Sequence, residues 1–215
     1  MRDFRVAHGA TEVLLIRHGE AEAMPASEAL HPKDVDMPLS PRGRAQAEAL
    51  AGRLRSRGIA AIYSSPLRRT RETADALAAV TELPITEDAR VREVEIAGVG
   101  PVAMHDLAEI AIAQGGWSHL PGTESSEAIR ARMRSAIDEI VAAHSGARVA
   151  VVSHAGSINA YVASLLGLQS DFFFPTGNTS ISIVRARDER RLLVSLNDIA
   201  HLERLGELPR GNGSA

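Results

Sequence analysis

The stretch Val13-Leu14-Leu15-Ile16-Arg17-His18-Gly19 decides the fold. A run of large and branched apolar residues reads as a strand buried on both faces. The polar triplet then stands at the strand's carboxyl end, where open α/β sheets place their ligands. The device returns downstream: Val149-Ala150-Val151-Val152 is another buried strand, and Ser153-His154-Ala155-Gly156 follows it. A single histidine in that setting is more often a hydrogen-bonded structural residue. Two in matching contexts, one beside an arginine, point to imidazoles converging on one pocket.

Outward from these strands, strand and helix patterns alternate. Ser40-Pro41 sets an N-cap and a first-turn proline. The helix runs through Ala45, Ala47, Leu50, Ala51 and Leu54, with Gly58 as its stop. Ile59 to Tyr63 reads as a short strand, and Ser65-Pro66 repeats the cap signal ahead of a helix towards Ala79. An irregular stretch follows, with Val91 to Val94 extended. Met104 to Ala113 reads as a helix. Glu124 to His144 reads as a longer one, with apolar positions at Ile129, Met133, Ile137 and Ile140. A helix from about Ser157 to Leu166 follows the second buried strand. Thr179 to Arg185 and Leu192 to Leu196 read as strands around a turn at Arg187-Asp188-Glu189. The expected fold is α/β: a three-layer sandwich with a mostly parallel central sheet flanked by helices on both faces. One catalytic domain is expected over residues 1–215, with 1–11 and 206–215 as loose termini. Met24 to Pro38 is the longest loop, of a size that often forms a lid or binding loop.

Composition narrows the function classes. A chain of 215 residues is long enough for one substantial core. Aromatics make up only 3%, so Ala, Leu, Val and Ile must fill that core. A net charge of −3 argues against nucleic acid as a partner. There is no cysteine, which removes disulfide and thiolate chemistry and fits a cytoplasmic protein. No apolar run reaches membrane-spanning length. Met1 to Thr11 lacks the apolar centre of a signal peptide.

The chemistry-bearing residues suit an anion such as a phosphate or a carboxylate. Arg17 offers a planar fork of donors, and a neutral His18 imidazole can attack phosphorus without a metal. Ser64-Ser65-Pro66-Leu67-Arg68-Arg69-Thr70-Arg71 puts a helix start, an anion site in itself, at a strand end. At helical spacing Arg69 can turn inward while Arg68 and Arg71 face water. His154 is followed by the backbone donors of Ala155 and Gly156. Glu93, on spacing alone, reads as a surface acid.

Leu15-Ile16-Arg17-His18-Gly19-Glu20 resembles the signature of the histidine phosphatase superfamily, the phosphoglycerate-mutase-like group. The resemblance continues in family order to Leu202. It passes through Asp36 to Ala47, Ser64 to Ala74, Val91-Arg92-Glu93, Pro121 to Ser125, Val151 to Gly156 and Asn197 to Leu202. It implies that His18 is the nucleophile and that Arg17, Arg69 and His154, with the Ala155 backbone, hold the phosphoryl oxygens. It also implies that Glu93 protonates the leaving oxygen and then activates water. No metal and no cofactor is called for. Ala21 and Met24 stand where many members carry a hydroxyl residue and an asparagine, and Ala155 stands where glycine is usual. Gly98-Val99-Gly100 replaces a Trp-Glu-Gly, which leaves Glu95 as an alternative acid.

The short stretch from Glu93 to Pro121 resembles the phosphatase branch. The expected activity is hydrolysis of a small phosphorylated metabolite through a phosphohistidine. A phosphohistidine phosphoprotein phosphatase, a phosphoglycerate mutase and a catalytically silent anion-binding module are the alternatives. A metal-dependent hydrolase on His18, His154 and Glu93 lacks the usual ligand spacing. A homodimer is left open, and no membrane partner is expected. The substrate itself is not legible.

Overall fold

The computed structural model describes residues 9–23, 36–95, 110–120 and 122–206. Among the described residues six strands form one sheet: β1 (Thr11–Arg17), β2 (Ile59–Ser64), β3 (Ile85–Glu87), β4 (Arg148–Ser153), β5 (Ile181–Arg187) and β6 (Arg190–Asp198). Their order is β3-β2-β4-β1-β5-β6. The β3-β2, β2-β4 and β4-β1 pairs are parallel, whereas β5 and β6 join antiparallel at one edge. The sheet is therefore mixed but mostly parallel, with helices on both faces.

Four α-helices lie wholly within the described residues: α1 (Pro41–Leu54), α2 (Arg68–Thr81), α3 (Ser126–Ala143) and α4 (Ala155–Leu166). Ser40 caps α1 by accepting from the Gly43 N–H at 3.0 Å, and Pro41 opens it. Its buried positions, Gly43, Gln46, Ala47, Leu50, Ala51 and Leu54, recur at helical spacing on one face. Ser125 caps α3 in the same way. Leu14 and Ile16 of β1 pack with Leu50 of α1 and Leu77 of α2, while Val13 and Leu15 pack with Ile129, Met133 and Ile158 of α3 and α4. Alternate side chains of β1 thus fill two cores, as a strand covered on both faces requires.

Several expectations need correction. β1 begins at Thr11, so the lead-in ends one residue earlier than the sequence suggested. Ser65-Pro66 does not cap a helix: α2 starts at Arg68, and Leu67 in the cap position makes no side-chain cap bond. Val91 to Val94 is not extended as a unit, since Ala89–Val91 is a 3₁₀ turn capped by the Asp88 carboxylate. Within the stretch expected to be irregular, Ile85–Glu87 forms the short edge strand β3. The helix after His154 starts at Ala155 rather than near Ser157. Residues 110–114 are helical, and the rest of the Met104–Ala113 expectation lies outside the described residues, as does 24–35 of the Met24–Pro38 loop. Among the described residues no helix is long and apolar enough to cross a membrane.

Candidate active site

The site follows from sheet register. β1 and β4 are adjacent and parallel, and Arg17 pairs with Ser153. The next residue on each strand is a histidine, so His18 and His154 must emerge side by side at the carboxyl ends. Their ring centroids lie 5.1 Å apart at an interplanar angle of 60°. β2 flanks β4 on its far side, with Ser64 opposite Val152, and brings Ser65 and then α2 to the same end.

The His18 backbone is held on every side. Its N–H donates to the Ser153 carbonyl at 3.0 Å. Its carbonyl accepts from Thr179 N at 3.3 Å and from Asn178 Nδ2 at 3.1 Å. Gly19 N donates to Thr73 Oγ1 on α2 at 3.0 Å, and Thr73 Oγ1 in turn donates to the Arg69 carbonyl. The loop that carries His18 and the helix that carries Arg69 are thereby one hydrogen-bonded unit. A Cβ on Gly19 would stand 2.6 Å from the Gly43 carbonyl oxygen, which explains glycine after the histidine.

The tautomer of His18 follows from its partners. Nδ1 lies 2.6 Å from the Gly19 carbonyl oxygen, an acceptor only, so Nδ1 carries the proton. Nε2 is left with its lone pair and accepts from Arg69 Nε at 3.2 Å. Burial holds the His18 pKa well below its ordinary value, and the charges of Arg69 and then Arg17 add to this against the Gly19 carbonyl. His154 is fully buried and is lowered for the same first reason, with Arg69 the largest charge effect. Its Nε2 lies 2.9 Å from Ser65 Oγ, while Nδ1 is buried without a hydrogen-bond partner among the described residues.

Arg17 donates from one terminal nitrogen to the Thr176 carbonyl at 2.5 Å, and its buried Nε has no partner among the described residues. Burial lowers the pKa of both Arg17 and Arg69, Glu93 opposes this in each case, and Arg69 further lowers Arg17. Two guanidiniums and two neutral imidazoles around one carboxylate make a local excess of positive charge, which suits a phosphoryl dianion. Arg68 and Arg71 point outward as expected and pair with Glu72 and Glu87.

Glu93 corrects the surface reading that spacing alone suggested. Its carboxylate accepts from Val94 N at 3.0 Å, Gly156 N at 3.3 Å and Ser157 N at 3.2 Å. It therefore sits on the start of α4, where the helix dipole favours a negative charge. The Gly156 donor, read from sequence as available to a ligand, is engaged by Glu93. A Cβ on Gly156 would stand 2.7 Å from Glu93 Oε1, so a side chain there would push the carboxylate off its backbone donors. Glu95 is exposed.

The profile of the histidine phosphatase superfamily (branch 1) matches residues 13–199. The chain belongs to that superfamily. It is 30% identical over 200 residues to a protein named phosphoserine phosphatase 1 from Hydrogenobacter thermophilus, covering 89% of this chain and 94% of that one. It is 29% identical over 218 residues to a probable phosphoglycerate mutase from Salmonella paratyphi B, covering 93% and 99%. A mycobacterial glucosyl-3-phosphoglycerate phosphatase solved with vanadate superposes with a TM-score of 0.73 at 28% identity, covering 86% of this chain and 98% of that one.

This histidine phosphatase fold thus gathers Arg17, His18, Arg69, Glu93, His154 and the Ala155 backbone at one end of its sheet. Sequence reasoning missed the residues that hold them. Asn197 binds the loop beside Arg17 from both sides: its Nδ2 donates to the Pro175 carbonyl at 2.6 Å and its Oδ1 accepts from Gly177 N at 2.7 Å. Asn159 donates to Thr176 Oγ1 at 2.6 Å. Ser65, a helix cap by its sequence pattern, instead meets His154 Nε2. The only available signal for Asn197 was its place in the C-terminal motif. Among the described residues no group of three or more His, Asp or Glu side chains comes together as metal ligands would. Met24, the Gly98-Val99-Gly100 segment and Pro121 lie outside the described residues.

Proposed function

We propose that this histidine phosphatase hydrolyses a small phosphomonoester through a phosphohistidine on His18 Nε2, with no metal in the chemistry. The observation that carries this reading is the locked tautomer of His18, whose Nε2 lone pair faces the Arg69 guanidinium.

The phosphoryl oxygens would take over the Arg69 Nε donor and the Arg17 Nε, which has no partner among the described residues, and this frees the lone pair for in-line attack. If the Ser65 hydroxyl donates to His154 Nε2, Nδ1 carries a proton and becomes a donor to the phosphoryl group without imidazole ionisation. A substrate arriving as its monoanion hands its proton to Glu93; as the Nε2–P bond forms, the ester P–O bond breaks and Glu93 passes that proton to the leaving oxygen. Water then attacks phosphorus, Glu93 takes the water proton, the P–N bond breaks and inorganic phosphate leaves with neutral His18 restored. Fixed donors around the equatorial oxygens supply the charge stabilisation that phosphoryl transfer needs. A positioned acid adds about 10²–10⁴-fold.

A mutase must shield the phosphohistidine from water while the intermediate reorients. The short stretch after the acid motif and the apolar Ala21 and Met24 favour hydrolysis. The test is product analysis with 3-phosphoglycerate, with and without 2,3-bisphosphoglycerate, beside 4-nitrophenyl phosphate in excess chelator. Phosphate release with a trapped, acid-labile phosphoenzyme that His18→Ala abolishes is the expected result. Formation of 2-phosphoglycerate faster than phosphate release would refute the phosphatase reading, and phosphate binding without any turnover would favour a silent module.

A further inference from the structure

We infer that Arg132 is a positioning residue for the Glu93 proton donor, and that Glu124 holds Arg132 in that role. The inference rests on the reading of Glu93 as general acid. After the turn at Ala89–Val91, the chain that delivers Glu93 runs through 92–95 in neither helix nor strand. Backbone carbonyls there need partners from elsewhere. Arg132, on α3, supplies them. One terminal nitrogen donates to the carbonyls of Arg90 at 2.7 Å and Arg92 at 2.8 Å. The other reaches the Glu93 carbonyl and Ser157 Oγ, each at 3.3 Å.

Glu124 takes the remaining face of the fork. Its carboxylate accepts from Arg132 Nε at 2.7 Å and from a terminal nitrogen at 2.9 Å. Its backbone N–H also donates to the Glu95 carbonyl at 2.8 Å. The Arg132 side chain is only 19% exposed. It grips the main chain on both sides of the acid and, through Ser157, the helix start on which the carboxylate rests. Ser153 Oγ adds a bond to the Val91 carbonyl at 2.8 Å, and Ser157 Oγ one to that of Arg92. A planar, five-donor fork meets this set of acceptors, and a lysine ammonium would meet it at one point. The arrangement matters because misplacing a catalytic group by about 1 Å can cost ~10²-fold.

The test uses kcat/KM, which reports phosphoryl transfer to the enzyme, on phenyl phosphate and on 4-nitrophenyl phosphate. A poor leaving group needs the acid and a good one does not. Arg132→Lys should lower kcat/KM for phenyl phosphate by about tenfold more than for 4-nitrophenyl phosphate. Glu93→Gln should show the same bias. On phenyl phosphate the double variant should lie within about twofold of Glu93→Gln alone, since residues acting through one group are non-additive. Glu124→Gln should show a weaker form of the bias, and it decides the matter if Arg132→Lys does not fold. A loose structural role would depress both substrates equally, and equal or multiplicative losses overturn the inference. If Glu93→Gln itself lacks the bias, the general-acid reading falls first and the inference with it. If only the Arg132 and Glu124 variants lack it, the inference alone falls.

Discussion

At the scale of single residues, chemistry is set by which hydrogen-bond partner each nitrogen meets. His18 is neutral because it is buried beside two guanidiniums, and its proton sits on Nδ1 because a carbonyl faces that atom. This has a pH consequence. A lowered pKa keeps His18, the proposed nucleophile, unprotonated further into acid than a free imidazole, whose value is about 6.5. The acid limb of kcat/KM, corrected for ionisation of 4-nitrophenyl phosphate, should therefore fall below that value. An acid limb at or above it, lost in no other way than by protonating His18, would contradict the burial argument. The same burial makes His18 and His154 contribute stability above their unfolded pKa that is lost as pH falls towards their folded values.

At the scale of elements, α1 matters as much by its backbone as by its apolar face. Gly43, in its first turn, lies so close to the loop after His18 that a Cβ would stand 1.9 Å from the Glu20 carbonyl oxygen. Neither backbone can yield without moving the other. Gly52, later in the same helix, has nothing within 4 Å of its would-be Cβ. Gly43→Ala should therefore destabilise by about 1–3 kcal/mol and lower kcat, since the shift is passed to His18. Gly52→Ala should stabilise by roughly 0.5–1 kcal/mol with kcat unchanged, because alanine loses less conformational freedom in a helix. Denaturant unfolding and steady-state kinetics on the pair check this. A neutral Gly43→Ala would show that the loop and α1 are not tightly coupled.

Sequence signals were clear for elements with strong local chemistry. Ser40-Pro41 and Ser125 cap as their types suggest, and the spacing of Ile129, Met133, Ile137 and Ile140 is the buried stripe of α3. They failed where a tertiary partner outbid the local preference. Ser65 has the chemistry of a cap, yet its hydroxyl serves His154. Val91 looks like strand residue, yet Asp88 folds the chain into a 3₁₀ turn. β3 is only Ile85–Glu87, too short to show a period.

At the scale of the whole molecule, the two ends of the sheet do different things. The carboxyl ends of β1, β2 and β4 carry the site. At the opposite end Glu12 joins three strands: its carboxylate accepts from Arg148 Nε of β4 at 2.8 Å and from Arg185 of β5 at 2.6 Å. Burial alone would raise the Glu12 pKa, but the hydrogen bonds and charges of Arg185 and Arg148 outweigh it, and the net shift is downward. A depressed carboxylate contributes stability that is present above its unfolded pKa and lost as pH falls through the folded one. Glu12→Gln should cost roughly 1–3 kcal/mol near neutrality and leave kcat/KM unchanged. The gap from the parent should close as pH drops below about 4.3. Equal gaps at neutral and acid pH, read from thermal unfolding, would show that the carboxylate charge is not what matters.

By itself the sequence determined the layered α/β fold, the two histidine-bearing strands, and Arg17, His18, Arg69 and His154 as the candidate site. Buried strands and helix caps are written in neighbouring residues, so these were legible. Tertiary structure alone decided that β1 and β4 are neighbours in register, that Glu93 turns onto the start of α4 rather than into solvent, and that Arg132, Asn197 and Ser65 hold the site in place. Those choices depend on backbone carbonyls and amides from distant segments. Every residue carries the same backbone groups, so side-chain identity does not mark which carbonyl a distant arginine will meet, and only the folded chain brings the two together.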